Sequence, residues 1–74
     1  MGNDMERIGE KLKALRAQHG LTTRQLAVEL EVSQAQISRI ENGLRQPDGD
    51  LLIRISDFFH ISLDRLMRDD LDLT

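Results

Sequence analysis

Seventy-four residues without a cysteine allow one small domain, whose core must stand on apolar packing without disulfides or a thiolate-bound metal. No apolar run is long enough to span a bilayer, and the N-terminus lacks the apolar core of a secretory signal, so the chain is expected to be cytoplasmic. The net charge of −3 excludes the strongly basic footprint of a tight non-specific binder of polyanions.

Residues 1–4 read as a flexible arm in which Asn3 or Asp4 can cap a first helix. Ile8, Leu12 and Leu15 recur at helical spacing and make its buried stripe. Glu6 and Glu10 lie towards its start and Lys11, Lys13 and Arg16 towards its end, the order that the helix dipole favours, and Gly20 ends it. Thr22 or Thr23 then caps a second helix. Gln25, three residues after Thr22, completes a capping-box pattern. Leu26, Ala27 and Leu30 form one apolar stripe on a helix too short to stand alone. Glu31-Val32-Ser33 is the turn, Ser33 caps a third helix from Gln34 to about Asn42, and Gly43 supplies a stop with positive φ. Pro47 disfavours helix at Gln46, and Asp48 caps a fourth helix running to about Phe59 with Leu52, Ile55 and Phe59 as core positions. Leu51 and Phe58 make a second stripe on its flank. Ile61 turns back onto the core, Ser62 caps a short fifth helix carrying Leu63, Leu66 and Met67, and residues 69–74 form an acidic tail. The expectation is therefore an all-α bundle of five helices over residues 5–68.

On the third helix, at about 100° per residue, Ile37 and Ile40 share an inward face with Glu41 at its margin. Ala35, Ser38, Arg39 and Asn42 point the other way, flanked by Gln34 and Gln36. Glutamine and arginine can make paired hydrogen bonds to adenine and guanine edges in the major groove, and a small residue such as Ala35 permits close approach or touches a thymine methyl. The outward face is equipped to read bases.

Leu21-Thr22, Leu26-Ala27, Leu30, Val32-Ser33 and the run Ile37-Ser38-Arg39-Ile40-Glu41-Asn42-Gly43, followed by Pro47, Ile55 and the Ile61-Ser62-Leu63 to Leu66 segment, together resemble the Cro/C1-type (XRE) helix-turn-helix family of phage and bacterial regulators. The resemblance covers roughly Ile8 to Leu66 and implies a compact lambda-repressor-like DNA-binding domain. It implies a homodimeric regulator, more often a repressor, that reads an operator in double-stranded DNA and needs no cofactor. Base reading would fall to Gln34, Ala35, Gln36, Ser38 and Arg39, and the phosphate backbone to Thr22, Thr23, Asn42 and Arg45, helped by the helix N-termini. The family also pairs an arginine and a glutamate at the positions of Arg16 and Glu41; the plain alternative is two solvated surface charges. For Arg45, likewise, the alternative to phosphate contact is an exposed loop cation.

The charge distribution suits this reading, since residues 1–46 hold seven Lys/Arg against six Asp/Glu while 47–74 hold three against seven, placing the acid away from the DNA side. Four positions depart from the family pattern. Glu31 stands where glycine is usual in the turn and must enter the left-handed region unless the turn differs. Thr23 replaces a frequent glutamine, Gly49 an apolar residue, and His60 the glycine that commonly ends the fourth helix. Domains of this kind pair about a two-fold axis to reach half-sites about 34 Å apart; Leu51, Phe58, Leu63, Leu66 and Met67 are the candidates for that interface, or else they complete the core of a monomer. A different class of function stays open: a protein-interaction module, such as an antitoxin whose partner is a toxin, or the target of an antirepressor. Catalysis has little to build on. His19 and His60 sit beside helix ends as dipole partners, the carboxylates are scattered, and no metal or phosphate-loop motif occurs.

Overall fold

The computed structural model describes residues 7–68. The arm at 1–4 and the acidic tail at 69–74 lie outside the described residues, but the cap expected of Asn3 or Asp4 needs correction, since the first helix starts at Ile8 with Arg7 at its N-cap position and no side-chain cap bond. Regular structure among the described residues is helical throughout: α1 (Ile8–Gln18), α2 (Thr23–Leu30), α3 (Gln34–Glu41), α4 (Gly49–Phe59) and α5 (Leu63–Met67).

Local chemistry starts each helix after the first. The side chains of Thr22, Ser33, Asp48 and Ser62 accept from the backbone N–H of Gln25, Gln36, Leu51 and Arg65, so the four N-termini each have one free donor satisfied. The apolar stripes then converge on one core in which Leu12, Leu26, Leu30, Ile37, Ile40, Ile55 and Leu66 are fully buried. Burying each such side chain is worth about 1.5–3 kcal/mol before chain entropy is subtracted, and in a domain this size no layer is spare.

Two further expectations need correction here. Leu51 and Leu66 were candidates for a partner surface, but they are 3% and 0% exposed and belong to the core. The reason lies in α5: packed against both α1 and α4, it covers the flank that α4 alone would leave open. Lys11 was expected towards the end of α1, among the cations that complement its dipole, but it lies in the first half of that helix. It is 2% exposed, and its ammonium donates to the carbonyls of Arg65, at 2.6 Å, and Arg68. These carbonyls lie at the C-terminal end of α5, where a cation also meets the negative end of the helix dipole. The four-carbon stem lets the charge cross apolar surface to reach them. Arg54 does a similar service for α2, its Nη1 donating to Leu30 O at 3.1 Å.

Elsewhere α1 comes very close to α3. A Cβ added at Gly9 would lie 2.3 Å from Ile40 O, so the crossing is possible only because that residue has no side chain. Thus α1 touches the end of α3 at Gly9 and holds α5 at Lys11, and the orientation of α3 is set from the core side.

Candidate nucleic-acid interface

The α2–turn–α3 unit is locked at both of its joints. At the start of α2 the capping box is complete: Gln25 N donates to Thr22 Oγ1 at 3.0 Å, and Thr22 N to Gln25 Oε1 at 2.9 Å. Between the helices, Glu31 takes the left-handed conformation at φ 59° and ψ 41°, and Val32 N donates back to Ala27 O at 3.0 Å. The usual turn geometry is therefore kept in spite of the missing glycine. Because a side chain in that conformation costs about 1–2 kcal/mol and Glu31 is exposed, Glu31→Gly is expected to raise stability by roughly 0.5–1 kcal/mol, after the extra entropy of glycine in the unfolded chain is offset. A higher urea midpoint at unchanged slope would show this, and a lower midpoint would contradict it.

Ile37 and Ile40 hold α3 to the core, both fully buried. Gln34, Ala35, Arg39 and Asn42 are exposed and Gln36 and Ser38 half-buried, so the residues expected to read bases lie on or beside the outward side of one helix. Asn42 Nδ2 approaches Ser38 Oγ at 3.4 Å, and Gln34 Nε2 donates to Thr23 Oγ1 at 3.0 Å. Thr22 is exposed and Thr23 half-buried at the head of α2, and Arg45 is exposed in the link that follows α3. That link leaves through Gly43 at φ 76°, with Leu44 N donating to Arg39 O at 2.8 Å, a closure that satisfies a carbonyl of the last turn.

Arg16 and Glu41 meet. The guanidinium Nε lies 2.7 Å from Glu41 Oε2 and Nη2 3.1 Å from Oε1, a bidentate pair, while Nη1 donates to Leu21 O at 2.8 Å. The side chains are 18% and 6% exposed. The hydrogen bond to Glu41 first, and its charge in addition, hold the Arg16 guanidinium above its ordinary value, with burial opposing. The pair ties the end of α3 to α1 and to the entrance of α2.

The residues that sequence reasoning missed are the supports: Gly9, Lys11 as a buried donor, and Arg54. Only Gly9 left a usable trace, as a glycine inside an amphipathic helix where a packing reason is the usual explanation.

The family model for helix-turn-helix domains, HTH_3, matches residues 12–66. This chain belongs to the Cro/C1-type (XRE) helix-turn-helix family. It is 32% identical over 63 residues to the HTH-type transcriptional regulator ImmR of Bacillus subtilis, covering 85% of this chain and 50% of ImmR. Another relative, the HTH-type transcriptional activator BcrR of Enterococcus faecalis, is 43% identical over 58 residues, which are 78% of this chain and 28% of BcrR. The chain thus spans half or less of the length of these curated relatives. Among solved structures, the P22 c2 repressor in complex with a synthetic operator superposes with a TM-score of 0.79 at 28% identity, covering 85% of this chain and 96% of that one.

Within the XRE frame the departures find their places. Glu31 and His60, at φ 59° and 54°, take the left-handed turns that glycine usually makes. Gly49 opens α4 with nothing within 4 Å of where a Cβ would be, so an apolar side chain there has no neighbour to meet. Of the expected pairing residues, Phe58 and Met67 are partly buried against the core and Leu63 is 39% exposed, so this trio is what remains on the outside. Leu44 and Ile53 are more exposed than any of them, at 78% and 50%. No helix among the described residues is long and apolar enough to cross a membrane.

Proposed function

We propose that this XRE domain binds double-stranded DNA sequence-specifically as a homodimer and acts as a cytoplasmic transcriptional regulator, with repression as its mode. The observation that carries the reading is the outward side of α3: Gln34, Ala35, Arg39 and Asn42 exposed on a helix that Ile37, Ile40 and the Arg16–Glu41 pair hold rigidly to the core. Side chains so presented enter a major groove without distortion of the fold. Gln34, Ala35, Gln36, Ser38 and Arg39 read bases; Thr22, Thr23, Asn42 and Arg45 hold the backbone. The unit spans residues 5–68, and pairing through Phe58, Leu63 and Met67 brings two recognition helices onto one face of the duplex. Sedimentation at micromolar concentration tests the dimer, which a sole species of 8.5 kDa would rule out.

Selection of bound fragments from a genomic duplex pool supplies the site on which the roles are tested. On that site Gln34→Ala is expected to cost about 1–3 kcal/mol and to blur preference at one base position, whereas Arg45→Ala should weaken all duplexes alike and lower the salt slope by about 1. A change of base preference in Arg45→Ala would refute the division of labour. A second reading, a module whose main partner is a protein, draws on the net charge of −3 and on exposed Val28, Leu44 and Ile53. Affinity for random duplex at low salt separates the two: binding that falls steeply with salt favours DNA, and no binding favours the protein partner.

A further inference from the structure

Helix α5 has five residues, too few for a helix to persist by itself, and it carries two of the three side chains assigned to pairing. Leu63 and Met67 lie four positions apart and so share one side of it, Leu63 39% exposed and Met67 partly buried, while Leu66 goes fully into the core. The Ser62 hydroxyl fixes the first turn by accepting from Arg65 N at 3.2 Å. One buried leucine would still leave so short a helix free to roll about that anchor. Lys11 removes this freedom. From the first half of α1 its buried ammonium donates to the carbonyls of Arg65 and Arg68, which stand three positions apart and on either side of Leu66 in the chain, so α5 is gripped at two more points.

We infer that Lys11 is a positioning residue for pairing: by fixing the rotation of α5 it presents Leu63 and Met67 in the orientation that a second copy of the chain meets. It rests on the pairing surface proposed above, and it places control of dimer affinity on α1, which contributes none of the side chains assigned to pairing. The physical gain is preorganisation, because side chains already ordered in the monomer need no ordering when two copies associate. A charged donor suits the task, since its hydrogen bonds to carbonyls are stronger than those of a neutral one.

Sedimentation equilibrium on the wild type, Lys11→Met, Lys11→Gln, Leu63→Ala and the double variant Lys11→Met/Leu63→Ala gives the dimer dissociation constants, with Ile37→Val, which thins the core under α3, as the control for stability. Amide hydrogen exchange in the dilute monomer reports the docking of α5 itself: Leu66 N and Arg68 N donate to Ser62 O and Asp64 O, and Asn42 N, which donates to Ser38 O, is the reference on α3. Lys11→Met is expected to weaken pairing roughly fivefold to hundredfold, the cost of ordering two side chains on association, and to speed exchange at Leu66 and Arg68 more than at Asn42. Lys11→Gln, which keeps an N–H donor without the charge, should do less, and it is the variant to read if Lys11→Met melts below the assay temperature. In the double variant the two losses should combine to less than their product. Losses that multiply in full, exchange on α5 no faster than on α3, pairing kept in both Lys11 variants, or an equal loss in Ile37→Val overturns the link alone. Undiminished pairing in Leu63→Ala, or a wild type that stays monomeric, overturns the pairing surface and the link with it.

Discussion

Arg16→Met should cost the domain about 3–5 kcal/mol, which is as much as a core of this size commonly supplies, and should leave it largely unfolded. The loss comes from what is left behind. The Glu41 side chain is 6% exposed, and both of its oxygens take a hydrogen bond from Arg16, so removal of the guanidinium strands a buried carboxylate. Leu21 O loses its donor as well. The matching double variant, Arg16→Met/Glu41→Met, should recover most of the stability, because replacing a buried pair by apolar side chains of similar volume is often neutral or better. In thermal unfolding, each 1 kcal/mol moves the midpoint by roughly 4–8 °C for a domain of this size, so the single and double variants are easily told apart. A single variant that melts with the wild type would mean that water screens the pair after all.

Gly9→Ala is expected to have the next largest effect, about 1–3 kcal/mol, through overpacking rather than loss of a contact. The new methyl would lie 2.3 Å from Ile40 O and 3.1 Å from Glu41 O, and these are backbone atoms that no side-chain rotation can move. Relief requires α1 and α3 to part, which also shifts the helix that carries Gln34 and Arg39. Stability and site affinity should therefore fall together. The same change at Gly49, in the first turn of α4 with open space around it, should be neutral or stabilising by about 0.4–1 kcal/mol, since alanine has less entropy to lose on folding. If the two variants melted alike, the close crossing of α1 and α3 would not be the constraint inferred.

Much of the fold is local and could be read in order. Thr22 with Gln25, Ser33, Asp48 and Ser62 each announce a helix start by a side chain that reaches a backbone donor three residues on, and each does so in the structure. Gly43 marks the end of α3 for the same kind of reason, with φ at 76°. The 3.6-residue period assigned Ile37 and Ile40 to the inside of α3, and they are fully buried. The polar side of α3 follows as the complement of that stripe.

What the chain alone established, then, is which segments are helices, where the last four of them begin, and which side of each is apolar, since caps and periodicity depend on residues within a turn of one another. Only the tertiary structure decided which apolar side meets which. Leu51 and Leu66 look like surplus on helices taken singly and become core once α5 packs against α1 and α4. Lys11 looks like a surface cation until the end of α5 arrives at its ammonium, 54 residues away along the chain. The link from Thr23 to Gln34 and the crossing at Gly9 likewise exist only between elements. Periodicity gives a side chain its direction and says nothing of its distance to a neighbour, and hydrogen bonds and close packing are decided within a few tenths of an ångström.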